Sequence, residues 1–151
     1  MITTCLINNY NYARYLPAAV DSALAQTHPL DEIIVADDGS TDDSLAILRS
    51  HFGRNSKVQI VAKKNEGQLS CFNEGFARSR GDLVFFLDAD DVYEPNHVAE
   101  ALATYERNPA IDFVFCGTRQ FGKRDKVRLL HDEDRDLGYS VILTAMTDCS
   151  R

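Results

Sequence analysis

The sequence contains no tryptophan, and its four cysteines form no CxxC pair and have no histidine at ligand spacing. A disulfide framework or a zinc site is therefore not expected. No run approaches the roughly 18 consecutive apolar residues that a membrane-spanning helix needs, and Met1 leads almost directly into the first apolar run without the regions of a signal peptide. These absences predict a cytoplasmic protein with no transmembrane segment in this chain. The inner face of the membrane stays open as the location of a longer protein.

Basic residues are also scarce, with 16 lysines and arginines against 23 aspartates and glutamates and a net charge of -7. Because nucleic-acid phosphates are bound by basic patches, this balance argues against nucleic acid as a partner. A chain of 151 residues with 44% hydrophobic residues suits a single domain with a real core. The acidic residues are concentrated in two places. The first acidic cluster, Asp37–Asp43, holds four aspartates, and the second acidic cluster, Asp88–Asp91, holds three.

Short apolar runs alternate with stretches of helical period, which is the pattern of βα units on a parallel sheet. Five strands are predicted, at Ile2–Ile7, Glu32–Ala36, Val58–Ala62, Leu83–Leu87 and Phe113–Cys116. Helices are expected between them, and the unbroken apolar fourth strand predicts cover on both faces. The fold class is thus a doubly wound α/β sandwich with a mainly parallel central sheet, in which Cys5 and Cys116 are buried. Beyond it, the sequence predicts a turn over residues 122–125 between two edge strands, and the start of a helix over residues 140–146.

The polar segments NNYN, DDGS and DADD begin where predicted strands one, two and four end. In an open parallel sheet, ligands bind in the crevice outside the carboxyl ends of the strands. The topology therefore predicts that both acidic clusters and Tyr10 meet at one edge of the sheet.

Adjacent carboxylates repel one another, and a divalent cation relieves that repulsion. Asp88, Asp90 and Asp91 offer oxygen ligands, which suit Mg²⁺ or Mn²⁺ rather than zinc. Since Mg²⁺ takes one or two protein carboxylates and otherwise binds water and phosphate, the second acidic cluster predicts a phosphate-bearing ligand. The alternative is a set of solvated turn residues. Asp42 and Asp43 suit the start of a helix equally well, and Ser40 or Thr41 is expected to cap that helix.

Tyr10 beside Asp38 suits a nucleobase, since the ring can stack on a flat base while the carboxylate accepts an N–H. Gly67, after Asn65, allows the backbone to approach a ligand, although an ordinary loop glycine explains it equally well. Four basic residues are interpreted as solvated surface charges: Lys63, Lys64, Arg78 and Arg80.

The succession INNYNYARYLPAAVDSALAQT, EIIVADDGSTDDS, KNEGQLSCFNEG and GDLVFFLDADD resembles the family 2 inverting glycosyltransferases of GT-A fold. The resemblance runs from Met1 to about Gly117. It implies transfer from a nucleotide-diphosphate sugar, most often a UDP-sugar, with Mg²⁺ or Mn²⁺ as cofactor. The acceptor hydroxyl belongs to a glycan, a lipid-linked molecule or a protein, and the sequence leaves these alternatives open.

The resemblance also implies roles for individual residues. Tyr10 would stack on the base, Asp38 would hydrogen-bond its polar edge and Asp37 would support that loop. Asp88 or Asp90 would contact the ribose, and Asp90 with Asp91 would hold the metal. The candidate nucleotide-sugar-binding residues are Asn8, Tyr10, Asp37, Asp38, Asn65, Gly67, Asp88 and Asp90, and the candidate metal ligands are Asp90 and Asp91.

The sequence departs from the family pattern at two points. Family members often carry proline at the position of Asn8 or Asn9, and arginine at the position of Phe72. The general base that an inverting transfer needs is not found, because Glu133 and Asp134 lie too near the second acidic cluster. We expect it beyond residue 151, which makes the chain the donor-binding half of a longer enzyme, with residues 1–118 as the nucleotide-sugar-binding core and 119–151 as the start of the acceptor-side region.

Two rival functions remain. FFLDADDVY also fits the motif of a haloacid-dehalogenase-type phosphatase, with Asp88 as nucleophile, Asp90 as acid/base and Thr118 as a supporting hydroxyl. That reading leaves Tyr10 and the DDGS segment without roles. The other rival is a non-catalytic module that binds a nucleotide sugar and transfers nothing.

Overall fold

The polar loops are carried by a sheet of four parallel strands in the order β3-β2-β1-β4. A computed structural model describes residues 1–121 and 126–128 of the chain. The strands of the sheet are β1 (Thr3–Asn9), β2 (Glu32–Asp37), β3 (Val58–Ala62) and β4 (Leu83–Asp88). Each is followed by a helix: α1 (Leu16–Leu24), α2 (Ser44–Phe52), α3 (Gln68–Arg78) and α4 (His97–Arg107). The predicted α/β fold with a parallel central sheet is confirmed.

The two faces of the sheet bury different residues, because successive side chains of a strand point to opposite faces. On one face, Cys5 and Ile7 of β1 belong to a core shared with residues of α1, α2 and α4. On the other face, Leu6 packs with Ile34 and Val61, and α3 covers β1 and β2. The approach of α3 is close, since a Cβ on Gly75 would lie 3.2 Å from the Leu6 side chain. The result is a helix–sheet–helix sandwich with β1 and β2 at its centre.

The prediction that the fourth strand is covered on both faces is wrong for the described part of the chain. There β4 is an edge strand, and Phe86 is 50% exposed on the α3 side. The ring of Phe86 packs edge-on against the ring of Phe72, with 5.2 Å between the centroids. A continuous apolar run is thus compatible with a strand that is buried on one face only.

The prediction of a fifth parallel strand at Phe113–Cys116 is also wrong, and Cys116 is exposed rather than buried. A strand needs a hydrogen-bonding partner as well as apolar residues, and no strand of the described residues pairs with this segment. Instead β5 (Thr118–Gln120) pairs antiparallel with β6 (Lys126–Arg128), in agreement with the two strands expected around residues 122–125. Those four residues, and the helix predicted over residues 140–146, lie outside the described residues.

The chain divides into two compact units, Met1–Ala110 and the residues from Ile111 onward. The four-stranded sheet and its helices form the first unit, and the β5–β6 ribbon belongs to the second. Within the residues that the structure describes, no helix is both long and apolar enough to cross a membrane.

Candidate functional site

A cavity of about 450 Å³ opens at the carboxyl ends of β1, β2 and β4. The strand register brings these ends together, since Asn9 lies opposite Asp37 and Asn8 lies opposite Asp88. The cavity is within the usual size range of ligand sites. Its lining residues are Asn8, Asn9, Tyr10, Tyr12, Asp38, Asn65, Gly67, Gln68, Cys71, Asp88, Ala89 and Asp90.

Two of the candidate residues do not line the cavity. Asp37 is fully buried at the end of β2, where its carboxylate accepts hydrogen bonds from Asn9 Nδ2 at 2.7 Å and from Ser40 N and Oγ at 3.0 and 2.6 Å. Asp91 is exposed and lies outside the lining set. Asp37 therefore holds the base of the DDGS turn, and the remaining candidates share one space.

Asp38 binds the loop between β3 and α3. Its Oδ1 accepts from Lys63 Nζ at 2.6 Å and from Glu66 N at 2.9 Å, while its Oδ2 accepts from Gly67 N at 2.8 Å. Burial raises the pKa of the Asp38 carboxyl, but these hydrogen bonds outweigh it and hold the pKa below its ordinary value. Asp38 is consequently a carboxylate at neutral pH, fixed against one wall of the cavity.

The interpretation of the four basic residues as solvated surface charges is wrong for Lys63. Its side chain is only 11% exposed and lies between Asp38 and Glu66. Arg78 pairs with Glu74 one helical turn away, and Arg80 Nε lies 3.1 Å from Glu32. The role of Lys63 could not be read from sequence because it depends on how the β3–α3 loop folds over Asp38.

Gly39 and Gly67 both have positive φ values, 72° and 91°, which glycine adopts without steric cost. A Cβ on Gly39 would lie 2.8 Å from Asn65 N, so the DDGS turn touches the β3–α3 loop directly. A Cβ on Gly67 would meet nothing within 4 Å. Gly39 is thus required by packing and by conformation, whereas Gly67 is required by conformation alone.

Asp42 of the first acidic cluster is used for local structure. Asp42 Oδ1 accepts from Ser44 N and Oγ at 3.0 and 2.5 Å, at the start of α2. The predicted caps Ser40 and Thr41 do not act there, because the Ser40 hydroxyl is bonded to Asp37 and Thr41 contacts Asn11. Burial raises the pKa of Asp42, but its hydrogen bonds prevail and hold the pKa below the ordinary value.

In the second acidic cluster the pKa values of Asp88 and Asp91 are shifted upward, whereas those of Asp38 and Asp42 are shifted downward. Burial raises the pKa of the Asp88 carboxyl, and the charge of Asp90 adds to this, whereas hydrogen bonds from Asn8 and Gln68 act against it. Gln68 Nε2 donates to Asp88 Oδ1 at 2.9 Å. Burial and the charges of Asp90 and Asp88 likewise raise the pKa of Asp91. Among the residues that the structure describes, no basic side chain forms an ion pair with this cluster.

The fit of a divalent cation to this cluster depends on the donor set. Within the described residues, no three histidine, cysteine or acidic side chains converge on one point. Asp88 and Asp90 do line the same cavity, and one or two carboxylates are what Mg²⁺ takes when substrate phosphate and water complete its shell. The residues therefore fit a cation shared with a phosphate-bearing ligand, and they do not fit a site made entirely of protein ligands.

The cavity also contains hydrogen-bonding capacity that the protein does not use. Asn8 Oδ1 and Asn9 Oδ1 are buried and have no hydrogen-bond partner within the described residues. Buried acceptors of this kind are uncommon and call for an explanation. Both oxygens are shielded from solvent, so a ligand in the cavity as it stands does not reach them.

Five lining residues were not among the candidates from the sequence: Asn9, Tyr12, Gln68, Cys71 and Ala89. Tyr12 lies two residues after Tyr10, a spacing that could have indicated a second aromatic wall. Burial raises the pKa of Cys71 to about 11, with a contribution from the charge of Asp38, so this thiol is neutral at pH 7. Phe72, one of the two departures from the family pattern described above, is not a lining residue.

The model of the family described as "Glycosyl transferase family 2" matches residues 4–149. Among curated relatives, an uncharacterized glycosyltransferase from Nostoc sp. is 40% identical over 112 residues, which are 74% of this chain and 35% of that protein. The chain thus spans about a third of that relative.

Solved structures show the same fold. TarS of S. aureus, crystallised with UDP, superimposes with a TM-score of 0.65 at 24% identity and covers 72% of this chain and 33% of its own. A mannosyltransferase from Pyrobaculum calidifontis, solved with GDP-Man and Mn²⁺, gives a TM-score of 0.64 at 21% identity over 72% of this chain and 33% of its own. The fold is therefore GT-A, and with the family match over residues 4–149 the chain belongs to glycosyl transferase family 2.

Proposed function

We propose that the cavity binds the nucleotide-diphosphate part of a sugar donor, with a UDP-sugar as first choice. The sugar is transferred to an acceptor hydroxyl with inversion, in a reaction that depends on Mg²⁺ or Mn²⁺. The observation that carries this proposal is that one cavity contains two different parts on opposite sides of β1. Tyr10 and Asp38 suit a nucleobase, and Asp88 and Asp90 suit a cation with phosphate.

The spacing of these two parts suits a nucleoside diphosphate. Asp38 follows β2 and Asp88 ends β4, and β1 lies between these strands. Neighbouring strands are about 4.8 Å apart, so the two ends are separated by about 10 Å. That distance is comparable with the reach from a base through ribose to its phosphates.

The nucleobase end is formed by Tyr10 and Asp38. Three protein donors occupy Asp38, and the Cys71 thiol also hydrogen-bonds to it. A carboxylate offers about four acceptor positions, so an N–H of the base would take the position that the thiol holds.

The diphosphate end is formed by the second acidic cluster. Asp90 would hold the cation from the cavity wall, and Asp91, which lies outside the lining set, would add its charge beside it. Asp88 or Asp90 would contact the ribose. Neutralisation of the diphosphate leaving group is the chemistry that a divalent cation supplies when bound. Gln68 keeps Asp88 oriented toward the cavity through its 2.9 Å hydrogen bond. The Mn²⁺ bound by the Pyrobaculum mannosyltransferase is consistent with this assignment.

The test is calorimetric titration of the chain with UDP and with GDP, each with and without Mn²⁺. We expect UDP to bind at least tenfold more tightly with Mn²⁺, and this gain to disappear in an Asp90→Ala/Asp91→Ala double variant. The matched control is Asp21→Ala/Glu106→Ala, which removes two exposed acidic side chains on α1 and α4. Undiminished Mn²⁺-dependent binding in the Asp90/Asp91 variant would show that the cation is held elsewhere.

The same samples separate the proposed enzyme from the two rival functions. Slow release of sugar from UDP-GlcNAc would mark a transferase, whereas a passive binding module would leave the donor intact. Turnover of p-nitrophenyl phosphate that is lost in Asp88→Asn would instead indicate phosphatase chemistry. The family match favours the transferase.

A further inference from the structure

The loop between β1 and α1 contains an unusual backbone conformation. In the described part of the chain, Asn11 is the one non-glycine residue with a positive φ, 61°. Such a conformation is unfavourable for a residue with a side chain, although asparagine tolerates it better than most. It persists only where the surroundings hold it in place.

The surroundings of Asn11 are the DDGSTDD segment. The Asn11 N–H donates to Ser40 Oγ at 2.9 Å. The Asn11 Oδ1 accepts from Thr41 N at 2.8 Å, and also from Thr41 Oγ1 and Asp42 N, both at 3.3 Å. Two residues later, Ala13 N donates to Asp42 Oδ2 at 2.9 Å. The loop is therefore fastened to the segment by both its backbone and its side chain.

The residues on either side of Asn11 are Tyr10 and Tyr12, and both line the cavity. Tyr10 and Tyr12 are 45% and 41% exposed and lie outside the buried core, and the Tyr12 ring contacts the ring of Tyr15, with 6.2 Å between the centroids. The backbone at Asn11 sets the direction in which the two rings leave the chain. Holding a binding group in place before the ligand arrives lowers the ordering cost of binding.

We propose that Asn11 is a positioning residue for the donor nucleotide. Its left-handed backbone and the hydrogen bonds of its amide oxygen hold Tyr10 and Tyr12 ready to stack on a flat base. The proposal rests on the proposed function, because it requires a nucleotide in the cavity. A consequence is that residues 40–42 influence nucleotide affinity indirectly, because they hold Asn11 and do not contact the nucleotide.

Asn11 has two relevant properties, its tolerance of a positive φ and its amide oxygen, and three substitutions separate them. Asn11→Gly keeps access to positive φ but loses the amide oxygen, so we expect UDP binding to weaken about tenfold with Mn²⁺ present. Asn11→Ala loses both properties, and we expect a larger loss. Asn11→Asp keeps an acceptor oxygen and tolerance of positive φ, and we expect it to bind UDP within about twofold of the unaltered chain.

A purely structural role for Asn11 predicts different results, and a double-mutant cycle distinguishes the two. If Asn11 acts through the tyrosine rings, Asn11→Gly should have little further effect on UDP affinity in a Tyr10→Ala/Tyr12→Ala background. Heteronuclear NOE values of the Tyr10 and Tyr12 amides should also fall in ligand-free Asn11→Gly. The control is Asn55→Ala, which removes an exposed asparagine bonded to Lys57 N in the α2–β3 turn, and we expect it to bind UDP normally.

The results of these binding experiments test the proposed function and the role of Asn11 separately. If the unaltered chain binds neither UDP nor GDP, the proposed function and this inference are both wrong. If the unaltered chain binds UDP and Asn11→Gly binds it equally well, or if the two sets of substitutions are additive, the inference alone is wrong.

Discussion

The two acidic clusters look alike in the sequence and differ in the structure. Two aspartates of the first cluster are surrounded by donors: Asp37 accepts from Asn9 and Ser40, and Asp38 accepts from Lys63 and two backbone N–H groups. In the second cluster, within the described residues, Asp88 is the one aspartate whose carboxylate receives a hydrogen bond from a neighbouring side chain. The pKa shifts follow this difference, downward for Asp38 and upward for Asp88.

The difference shows that a run of aspartates does not by itself indicate a cation site. What matters is whether the protein supplies donors for the carboxylates. Where it does, as at Asp37 and Asp38, the acid organises loops. Where it supplies few, as at Asp88–Asp91, the charge is left for a cation or another ligand to neutralise.

The largest expected effect is on stability, from removal of the most buried carboxylate. Asp37→Ala leaves the side chains of Asn9 and Ser40 without their acceptor in a fully buried position. We expect it to lower the free energy of unfolding by about 3 kcal/mol, measured by urea denaturation. Ser50→Ala, which removes an exposed hydroxyl bonded to a helical carbonyl, should change it by less than about 0.5 kcal/mol. Similar values for both variants would contradict the structural role of Asp37.

A smaller effect on stability is expected when the pH is lowered. The pKa values of Asp38 and Asp42 are depressed in the folded state, so their contribution to stability is present above the unfolded pKa of about 4 and is lost as pH falls through the folded value. Between pH 5 and pH 3 the unaltered chain should therefore lose more stability than Asp38→Asn/Asp42→Asn. Thermal unfolding across this range measures the difference. Asp21→Asn, at an exposed position on α1, should follow the unaltered chain, and parallel curves for all three proteins would refute the prediction.

The smallest expected effect is an increase, rather than a decrease, in the free energy of unfolding. Asp91→Asn removes a carboxylate whose pKa is raised by burial and by the charges of Asp90 and Asp88. The desolvation of Asp91 is only partial, because the residue remains exposed and solvent screens its charge. We therefore expect a gain in unfolding free energy of only about 0.5 kcal/mol at low salt, which disappears at high salt. The same variant should weaken Mn²⁺-dependent UDP binding. A loss of stability would mean that Asp91 has a partner that favours its charge.

The outline of the site could be predicted from the sequence because it depends on topology. Asn8, Asp38 and Asp88 each follow or end an apolar run, and parallel strands bring their carboxyl ends to one edge. The functions of Lys63 and Gln68 could not be predicted in this way. Both depend on the path of the β3–α3 loop, which periodicity does not describe.

The errors have a similar origin. Phe113–Cys116 has the composition of a strand, but pairing depends on partners that a local pattern does not contain. The caps predicted at Ser40 and Thr41 were reasonable residue types for a helix start, yet Ser40 bonds to Asp37 and Thr41 to Asn11. Local propensity identified polar residues that make hydrogen bonds, and tertiary contacts determined which bonds they make.

The contact at Gly39 has a consequence for engineering the cavity. With 2.8 Å between a Cβ at this position and Asn65 N, and 3.2 Å to Lys63 O, the DDGS turn and the β3–α3 loop fit together backbone to backbone. Neither segment can be transplanted from a relative without its counterpart, because any change in the path of one would collide with the other or open a gap beside it. Residues 37–42 and 63–68 are therefore best exchanged together, as one graft.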